Sequence, residues 1–213
     1  MSEAVMRIPC GTLFLEALFD ETTGGEAAII CHPHPLYGGS MDNNVVSALQ
    51  KTLRNWGWGT LRFNFRGVGG SNGQHLGSQG DTEDLLTVFQ FVQQLGVENI
   101  HLAGYSYGAW IGLKAMKQEL RPKTSILVSP PLDLLDFRNL EPPSCPCLIT
   151  LGEKDDFCTV GSLMKWASPP HGSEERLHIE ILPGCDHFYG GREQLLSEKV
   201  MGFLGRDLKQ GDA

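Results

Sequence analysis

The sequence lacks a long hydrophobic run and an excess of positive charge. No stretch approaches the roughly 20 consecutive apolar residues that a membrane-spanning helix needs. Lysines and arginines number 17 against 25 aspartates and glutamates, so the formal net charge is -8. This balance disfavours nucleic-acid phosphates and anionic membrane surfaces as partners. The first residues include Glu3 and only short apolar pieces, so we expect no secretory signal and a cytoplasmic location.

The cysteines lack the spacing of a disulfide framework or of a zinc site. Several of them lie inside apolar runs, which is typical of reduced thiols in a cytoplasm. Cys145-Pro-Cys147 has no second pair at zinc spacing, and His32 and His34 lack further metal ligands. The sequence therefore predicts no metal and no other cofactor. The six cysteines are Cys10, Cys31, Cys145, Cys147, Cys158 and Cys185.

Segments of strand and helix character alternate along the chain. Strands are predicted at Val5–Pro9, Thr12–Phe19, Glu26–His32, Thr60–Phe65, Asn99–Ala103, Thr124–Ser129, Pro146–Leu151 and Leu177–Leu182. Helices are predicted over Asp42–Gly57 and Asp81–Gly96, from Ser106 onward, and over about Glu193–Leu208. This order predicts one α/β domain over residues 1–213, with a mostly parallel sheet covered by helices on both faces. Leu177–Leu182 alternates apolar and polar residues, so it is expected at a half-exposed edge.

A serine lies between two glycines where a predicted strand meets a predicted helix. The stretch is Gly104-Tyr105-Ser106-Tyr107-Gly108, and apolar residues recur at helical steps after it. A plain tight turn would also use glycines in this way. A nucleophilic serine at such a corner would have its hydroxyl exposed at the edge of the sheet. The pattern alone leaves both interpretations open.

An aspartate and a histidine follow two other predicted strands at the same edge of the sheet. Asp155 follows Pro146–Leu151, and His187 follows Leu177–Leu182. A serine needs a base to become a nucleophile, and a carboxylate orients a histidine for that task. Taken singly, His187 also fits an ordinary loop histidine and Asp155 a helix cap. Together with Ser106, and in this chain order, they favour catalysis over both alternatives.

Two further acidic residues compete with Asp155 for the place beside the histidine. Asp156 is its immediate neighbour, and Asp133 follows the preceding predicted strand. Asp155 stands three residues after Gly152, and the residues alone leave the choice among the three acids open.

Five stretches together resemble the α/β-hydrolase superfamily. They are "CHPHPLYGGSMDNNVV", "LRFNFRGVGGSNG", "AGYSYGAW", "LGEKDDF" and "GCDHFY", spread from Cys31 to Tyr189. The chain most resembles small members without a lid, of the dienelactone-hydrolase and prolyl-oligopeptidase-like kind, and a family of compact bacterial hydrolases. The resemblance implies an α/β-hydrolase fold without a lid domain and a catalytic serine, acid and histidine at Ser106, Asp155 and His187.

The resemblance also implies an oxyanion hole made of two backbone N–H groups. One donor is expected at Tyr107, the residue after the nucleophile. The second is expected on the loop after Glu26–His32. Prolines have no N–H, which excludes Pro33 and Pro35 and leaves His34 and Leu36. His34 is favoured by its place in the loop, although the superfamily often has His-Gly where this chain has His32-Pro33.

Two weaker signals lie after the predicted strand Thr60–Phe65. "GVGGSNG" fails as a dinucleotide fingerprint because Asn72 takes the place of the third glycine and no helix starts directly after it. We expect a loop that borders the active site. Arg66 is expected to form a structural ion pair with Asp81 and Glu83, and the alternative is that it binds a substrate carboxylate.

The substrate is expected to be a small or medium acyl compound in an open site. Only Pro130–Cys145 separates the two strands between which many hydrolases insert a lid. Carboxylic esters or thioesters fit best. An oligopeptidase or amidase is the alternative enzyme, and a non-catalytic hydrolase-fold binding protein is the alternative of another class. The oligomeric state is left open. Aromatic residues expected near the site are Tyr37, Tyr105, Trp110, Phe157, Phe188 and Tyr189.

Overall fold

The computed structural model describes residues 3–21, 24–168 and 176–207. Its strands are β1 (Ala4–Cys10), β2 (Leu13–Asp20), β3 (Glu26–Cys31), β4 (Gly59–Phe63), β5 (Asn99–Tyr105), β6 (Ser125–Val128), β7 (Cys147–Lys154) and β8 (Leu177–Asp186). Its helices are α1 (Asn44–Trp56), α2 (Ser78–Gln94), α3 (Tyr107–Gln118), α4 (Val160–Ala167) and α5 (Glu193–Asp207). Within these residues no helix has the length and apolar character to cross a bilayer.

The eight strands form one sheet in the order β1-β2-β4-β3-β5-β6-β7-β8. β1 and β2 pair antiparallel, β2 pairs antiparallel with β4, and all later neighbours are parallel. The mostly parallel sheet predicted from the alternation of strands and helices is confirmed. β8 lies at the edge, and its first five residues are half-buried, which confirms the expectation from its alternating pattern.

Three apolar clusters fill the space between the sheet and the helices. One packs α2 and part of α3 against one face of the sheet. A second packs α1 and α5 against the other face. The third lies between α3, α4 and the β6–β7 end of the sheet. Parallel sheets bury both faces in this way, which is why their strands read as nearly continuous apolar runs.

The N-terminal cap of helix α1 lies one residue later than predicted. The side chain of Asn43, not Asp42, accepts a hydrogen bond from the Val45 N–H at 2.9 Å. Asp42 instead pairs with Arg62 on β4 at 2.8 Å. The helix ends as predicted at Gly57, whose φ of 106° is accessible mainly to glycine.

Several boundaries differ from those predicted: some strands are longer, whereas β4 ends at Phe63 and β6 covers only Ser125–Val128. β7 and β8 extend to Lys154 and Asp186, and β5 runs up to Tyr105. α4 and a short 3₁₀ turn at Pro35–Tyr37 were not predicted at all. The predicted end of the last helix, Leu208, lies outside the described residues. Residues 129–146, between β6 and β7, contain no helix.

Candidate active site

The predicted corner at Ser106 is a strained elbow between β5 and α3. Ser106 has φ 53° and ψ -115°, a conformation that side chains with a Cβ rarely adopt. A Cβ on Gly104 would lie 2.6 Å from the Gly108 carbonyl oxygen, and one on Gly108 would lie 2.5 Å from that of Cys31. Both glycines are therefore required for the helix to approach the sheet closely. The Ser106 N–H donates to the Val128 carbonyl at 2.8 Å, which ties the elbow to β6.

Ser106, His187 and Asp155 form a continuous chain of hydrogen bonds. Ser106 Oγ lies 2.9 Å from His187 Nε2, and His187 Nδ1 lies 2.8 Å from Asp155 Oδ2 and 3.0 Å from Oδ1. All three residues are buried. A carboxylate only accepts, so the neutral imidazole carries its proton on Nδ1 and leaves Nε2 free to accept from the serine hydroxyl. This arrangement can transfer the serine proton to the histidine.

Asp155 also organises its own loop. Its Oδ1 accepts hydrogen bonds from the N–H groups of Phe157 at 2.9 Å and Cys158 at 3.2 Å. The cap of α4 is Thr159, whose hydroxyl accepts from the Ser162 N–H. The carboxylate is therefore not a cap of the following helix, and two backbone N–H groups of its own loop orient it beside the imidazole.

The two competing aspartates lie elsewhere. Asp156 is exposed. Asp133 accepts hydrogen bonds from the Thr159 N–H at 2.7 Å and the Ser162 hydroxyl at 2.5 Å. These bonds lower the pKa of Asp133 and hold the start of α4. Asp133 thus anchors the segment that follows Asp155.

Hydrogen bonds to backbone groups hold the loop that carries His187. The Tyr105 hydroxyl donates to the His187 carbonyl at 2.8 Å. Asp186 Oδ1 accepts from the N–H groups of Phe188 and Tyr189 at 3.0 and 3.1 Å. The Phe157 ring meets the imidazole edge to face, with centroids 4.5 Å apart. These contacts hold the loop and its imidazole in place beside Ser106.

The backbone N–H groups of Tyr107 and His34 lie beside the elbow and donate to no acceptor among the described residues. Tyr107 is the first residue of α3, so its N–H has no partner within the helix. The Leu36 N–H, the alternative to His34, donates to His34 Nδ1 at 3.2 Å. The rings of His34 and Tyr107 are in contact, with centroids 4.4 Å apart. His34 is therefore the one of the two loop candidates whose N–H is available.

Known proteins place this geometry in a family. A model of the alpha/beta hydrolase fold matches residues 29–137, more than half of the chain. An alpha-beta serine hydrolase homologue from Coxiella burnetii is 34% identical, with a TM-score of 0.83, and the match covers 95% of this chain and 98% of that one. The chain belongs to the α/β-hydrolase fold family.

Two more relatives of this α/β-hydrolase are similar over nearly its whole length. A serine hydrolase without a lid from Xanthomonas campestris is 28% identical, with a TM-score of 0.86, over 97% of this chain and 95% of that one. The uncharacterised protein RP471 of Rickettsia prowazekii is 29% identical over 199 residues, 89% of this chain and 84% of that protein. The resemblance and the fold without a lid are confirmed. The serine-hydrolase relatives support hydrolase activity.

Arg66 forms a structural ion pair as predicted, but its main partner is not the predicted one. Asp84, not Asp81, receives the Arg66 Nε and Nη2 groups at 2.9 and 2.7 Å and its backbone N–H at 2.9 Å. Glu83 lies farther away, at 3.4 Å. Asp84 is fully buried, so the guanidinium neutralises a charge that would otherwise be costly to bury. This engagement leaves Arg66 as a structural residue of the hydrolase.

His32 is a structural residue between two strand ends. Its Nδ1 lies 2.6 Å from the Pro33 carbonyl, and its Nε2 accepts from the Phe65 N–H at 3.1 Å. Burial lowers the pKa of His32 to about 4, so the ring is neutral at pH 7. In the described part of the chain, no three His, Cys, Asp or Glu residues are grouped to hold a metal ion.

The aromatic residues expected near the site differ in their burial and contacts. Tyr37 and Phe188 are exposed at 81% and 62%. Phe157 lies against His187, as described above. Tyr189 is fully buried, and its hydroxyl is bonded to those of Ser129 and Thr150, so it is part of the core. Tyr105 is likewise buried, and Trp110 is half-buried on α3.

Sequence analysis did not identify His75 and Asp81 as site residues, although both lie near the elbow. The Tyr107 hydroxyl donates to Asp81 Oδ2 at 2.6 Å, and His75 Nδ1 lies 3.0 Å from the same oxygen. His75 belongs to the loop after β4 that was expected to border the site. No spacing in the sequence links positions 75, 81 and 107, because three separate segments bring them together.

Proposed function

We propose that this protein is a serine esterase that cleaves small or medium carboxylic esters or thioesters through an acyl-enzyme on Ser106. The observation that carries the proposal is the chain of hydrogen bonds from Ser106 through His187 to Asp155 at a strained elbow. A buried serine that merely completed a turn would need neither a histidine nor a carboxylate behind it.

Acylation begins when Ser106 Oγ attacks the carbonyl carbon of the ester. His187 Nε2 takes the hydroxyl proton as the new C–O bond forms, and Asp155 stabilises the resulting imidazolium. The imidazolium then gives this proton to the departing alkoxide, so the bond between the acyl carbon and the alkoxide oxygen breaks and the acyl group stays on Ser106. In the second half, the oxygen of a water molecule attacks the acyl carbon while His187 Nε2 takes a proton from that water. The bond between the acyl carbon and Ser106 Oγ then breaks, His187 returns the proton to Oγ, and the acid leaves.

The carbonyl oxygen becomes negatively charged in each half of the reaction. The N–H groups of Tyr107 and His34 are proposed to donate to it, because both lack another acceptor among the described residues. Donors that are already in place stabilise the transition state without reorganisation, and one such donor is worth about 10²–10³-fold in kcat. Pro33 and Pro35 restrict the loop on both sides of His34 and keep its N–H in place.

An apolar substrate is favoured by the loops that follow the strands. Leu36, Tyr37, Leu76 and Phe188 are exposed at 71%, 81%, 77% and 62%, and all four lie on loops after β3, β4 or β8. A contiguous exposed apolar patch marks a binding surface, and these side chains are proposed to contribute to one. These loops are proposed to contact the apolar part of an ester or thioester in an open site.

A fluorophosphonate probe tests the nucleophile. We expect mass spectrometry to find the covalent adduct on Ser106, and we expect Ser106→Ala to abolish it. Burial raises the pKa of the Cys158 thiol to about 12 and that of Cys185 to about 11, so neither competes as a thiolate at pH 7. Ser40→Ala is the matched control, because the Ser40 hydroxyl accepts from the Asp42 N–H instead. An adduct on either cysteine would contradict the assignment.

A substrate screen separates the possible activities. Oxygen esters of graded acyl length, the matching thioesters and peptide amides are compared at equal concentrations of active sites, titrated with the probe. We expect the esters to have the highest kcat/KM, with the thioesters next. Preference for amides would assign an amidase, and an unlabelled Ser106 would assign a binding protein.

A further inference from the structure

A buried aspartate holds the side chain of a residue that bears a proposed oxyanion donor. The Tyr107 hydroxyl donates to Asp81 Oδ2 at 2.6 Å, from the first turn of α3 to the first turn of α2. Asp81 is fully buried, and its other oxygen, Oδ1, has no hydrogen-bond partner among the described residues. Burial of a carboxylate is costly. The hydrogen bond between Tyr107 and this costly buried carboxylate therefore needs an explanation.

The same tyrosine contacts the second donor residue. The His34 ring lies against the Tyr107 ring, with centroids 4.4 Å apart. His34 Nδ1 accepts from the Leu36 N–H, which fixes the ring relative to its own loop. The two backbone N–H groups therefore belong to residues whose side chains touch. A shift of the Tyr107 ring would change the distance between the donors.

The surroundings of Asp81 complete the anchor. His75 Nδ1 lies 3.0 Å from Oδ2 but makes no hydrogen bond among the described residues, so this contact is one of proximity. The centroid of the His75 ring is 5.4 Å from that of the His34 ring. Asp84, one turn along α2, is neutralised by Arg66. Burial raises the pKa of Asp81, and the Tyr107 hydroxyl and His75 oppose that rise. Asp81, Tyr107, His75 and His34 thus form one connected group next to the elbow.

We propose that Asp81 is a positioning residue of the oxyanion hole, which acts through the Tyr107 hydroxyl and the His34 ring to set the two N–H donors. The inference rests on the proposed esterase function and adds a residue from α2 to its machinery. Catalytic donors must be held to within about 0.5 Å, and side chains locked by a second set of contacts provide that precision. The position of a backbone N–H depends on how its residue is held, so an anchor on the side chain of a donor residue can set that position.

The test compares an ester with its thionoester, in which sulfur replaces the carbonyl oxygen. Sulfur accepts hydrogen bonds poorly, so the ratio of the two kcat values reports how well the N–H donors are placed. Both substrates are measured on one preparation, and the ratio does not depend on the fraction of folded enzyme. We expect Tyr107→Phe, which keeps the ring, to lower kcat for the oxygen ester about tenfold, to leave KM nearly unchanged and to lower the ratio about fivefold.

Asp81→Ala and the double variant test whether the aspartate acts through the tyrosine. We expect Asp81→Ala to match Tyr107→Phe, and the double variant to lose no more than the larger single loss, because coupled residues are not additive. If Asp81→Ala does not fold, the ratio measured on Tyr107→Phe decides alone. Tyr189→Phe is the control, since it removes an equally buried hydroxyl bonded to Ser129 and Thr150.

The outcomes distinguish this inference from the esterase proposal. A wild-type protein that reacts with the fluorophosphonate at Ser106, together with unchanged ratios in Tyr107→Phe and Asp81→Ala, overturns the role of Asp81 alone. Losses that multiply in the double variant, or a lowered ratio in Tyr189→Phe, overturn it as well. A wild-type protein that fails to react at Ser106 removes the esterase function on which the inference rests.

Discussion

The strain at the elbow predicts that two inactive variants of one residue differ in stability. Ser106 holds φ 53° and ψ -115° because the hydroxyl must stand at the turn between β5 and α3. Ser106→Ala removes the hydroxyl but keeps the Cβ that makes this conformation unfavourable. Ser106→Gly removes both. Each variant loses the same hydrogen bond to His187, so their difference isolates the backbone term.

The size of that difference follows from two opposing contributions. A residue held in a sparsely populated backbone region costs about 1–3 kcal/mol in the folded state, and glycine escapes that cost. Glycine also makes the unfolded chain more flexible, which lowers stability by about 0.4–1 kcal/mol relative to alanine. We therefore expect Ser106→Gly to be more stable than Ser106→Ala by about 1 kcal/mol. For a chain of this length, that is about 2–4 °C in Tm.

Thermal unfolding followed by calorimetry measures the difference directly. Neither variant can form an acyl-enzyme, so residual substrate from expression cannot stabilise one over the other through a covalent adduct. Circular dichroism of both variants checks that the fold is retained. A Ser106→Gly protein that melts at or below the temperature of Ser106→Ala would refute the claim that the elbow is strained.

Three further predictions concern the acid, the loop donor and the anchor of α4. Asp155→Asn should lower kcat about 10⁴-fold in steady-state assays, as in the Ser-His-Asp template. Asp156→Asn and Asp133→Asn should stay within about tenfold of the wild type. A comparable loss in Asp133→Asn would instead identify Asp133, after β6, as the catalytic acid. His34→Pro removes the N–H, so a variant shown by circular dichroism to be folded should lose about 10²–10³-fold in kcat. His34→Ala keeps the N–H and should lose about tenfold or less. Full activity of the folded proline variant would exclude His34 as the donor. Because the pKa of Asp133 is lowered from 3.8 in the folded protein, its stabilising effect is complete well above pH 3.8 and is lost as the pH falls below it. The Tm advantage of the wild type over Asp133→Asn should shrink in that range, and a constant difference down to pH 2 would contradict this.

The site was predictable from the sequence because parallel strands end at one edge of a sheet. Ser106, Asp155 and His187 each follow a different strand, so no knowledge of side-chain packing was needed to expect them together. The glycines on either side of Ser106 and the chain order of the three residues carried the rest. The exclusion of two prolines likewise reduced the loop donor to His34 or Leu36, and only the bond from Leu36 to the His34 ring distinguishes them.

Contacts between helices were not predictable in the same way. Helix α2 carries three acidic residues within four positions, Asp81, Glu83 and Asp84. The rotation of the helix about its axis decides which of them contacts Arg66. The sequence does not encode this rotation within a short window. The bond between Asp81 and Tyr107 depends in addition on how α2 lies beside α3. The cap of α1 raised a smaller ambiguity, because neighbouring Asp42 and Asn43 are both good cap residues.

The elbow also has a consequence for how the protein loses its structure. Tyr105, Tyr107 and Ala109 alternate along five residues, and each belongs to a different one of the three apolar clusters. Partial opening of any layer would therefore displace one end of the segment that carries Ser106. Activity and global unfolding should then share one cooperative transition in denaturant. Hydrogen exchange at the elbow should proceed only through the largest openings of the molecule.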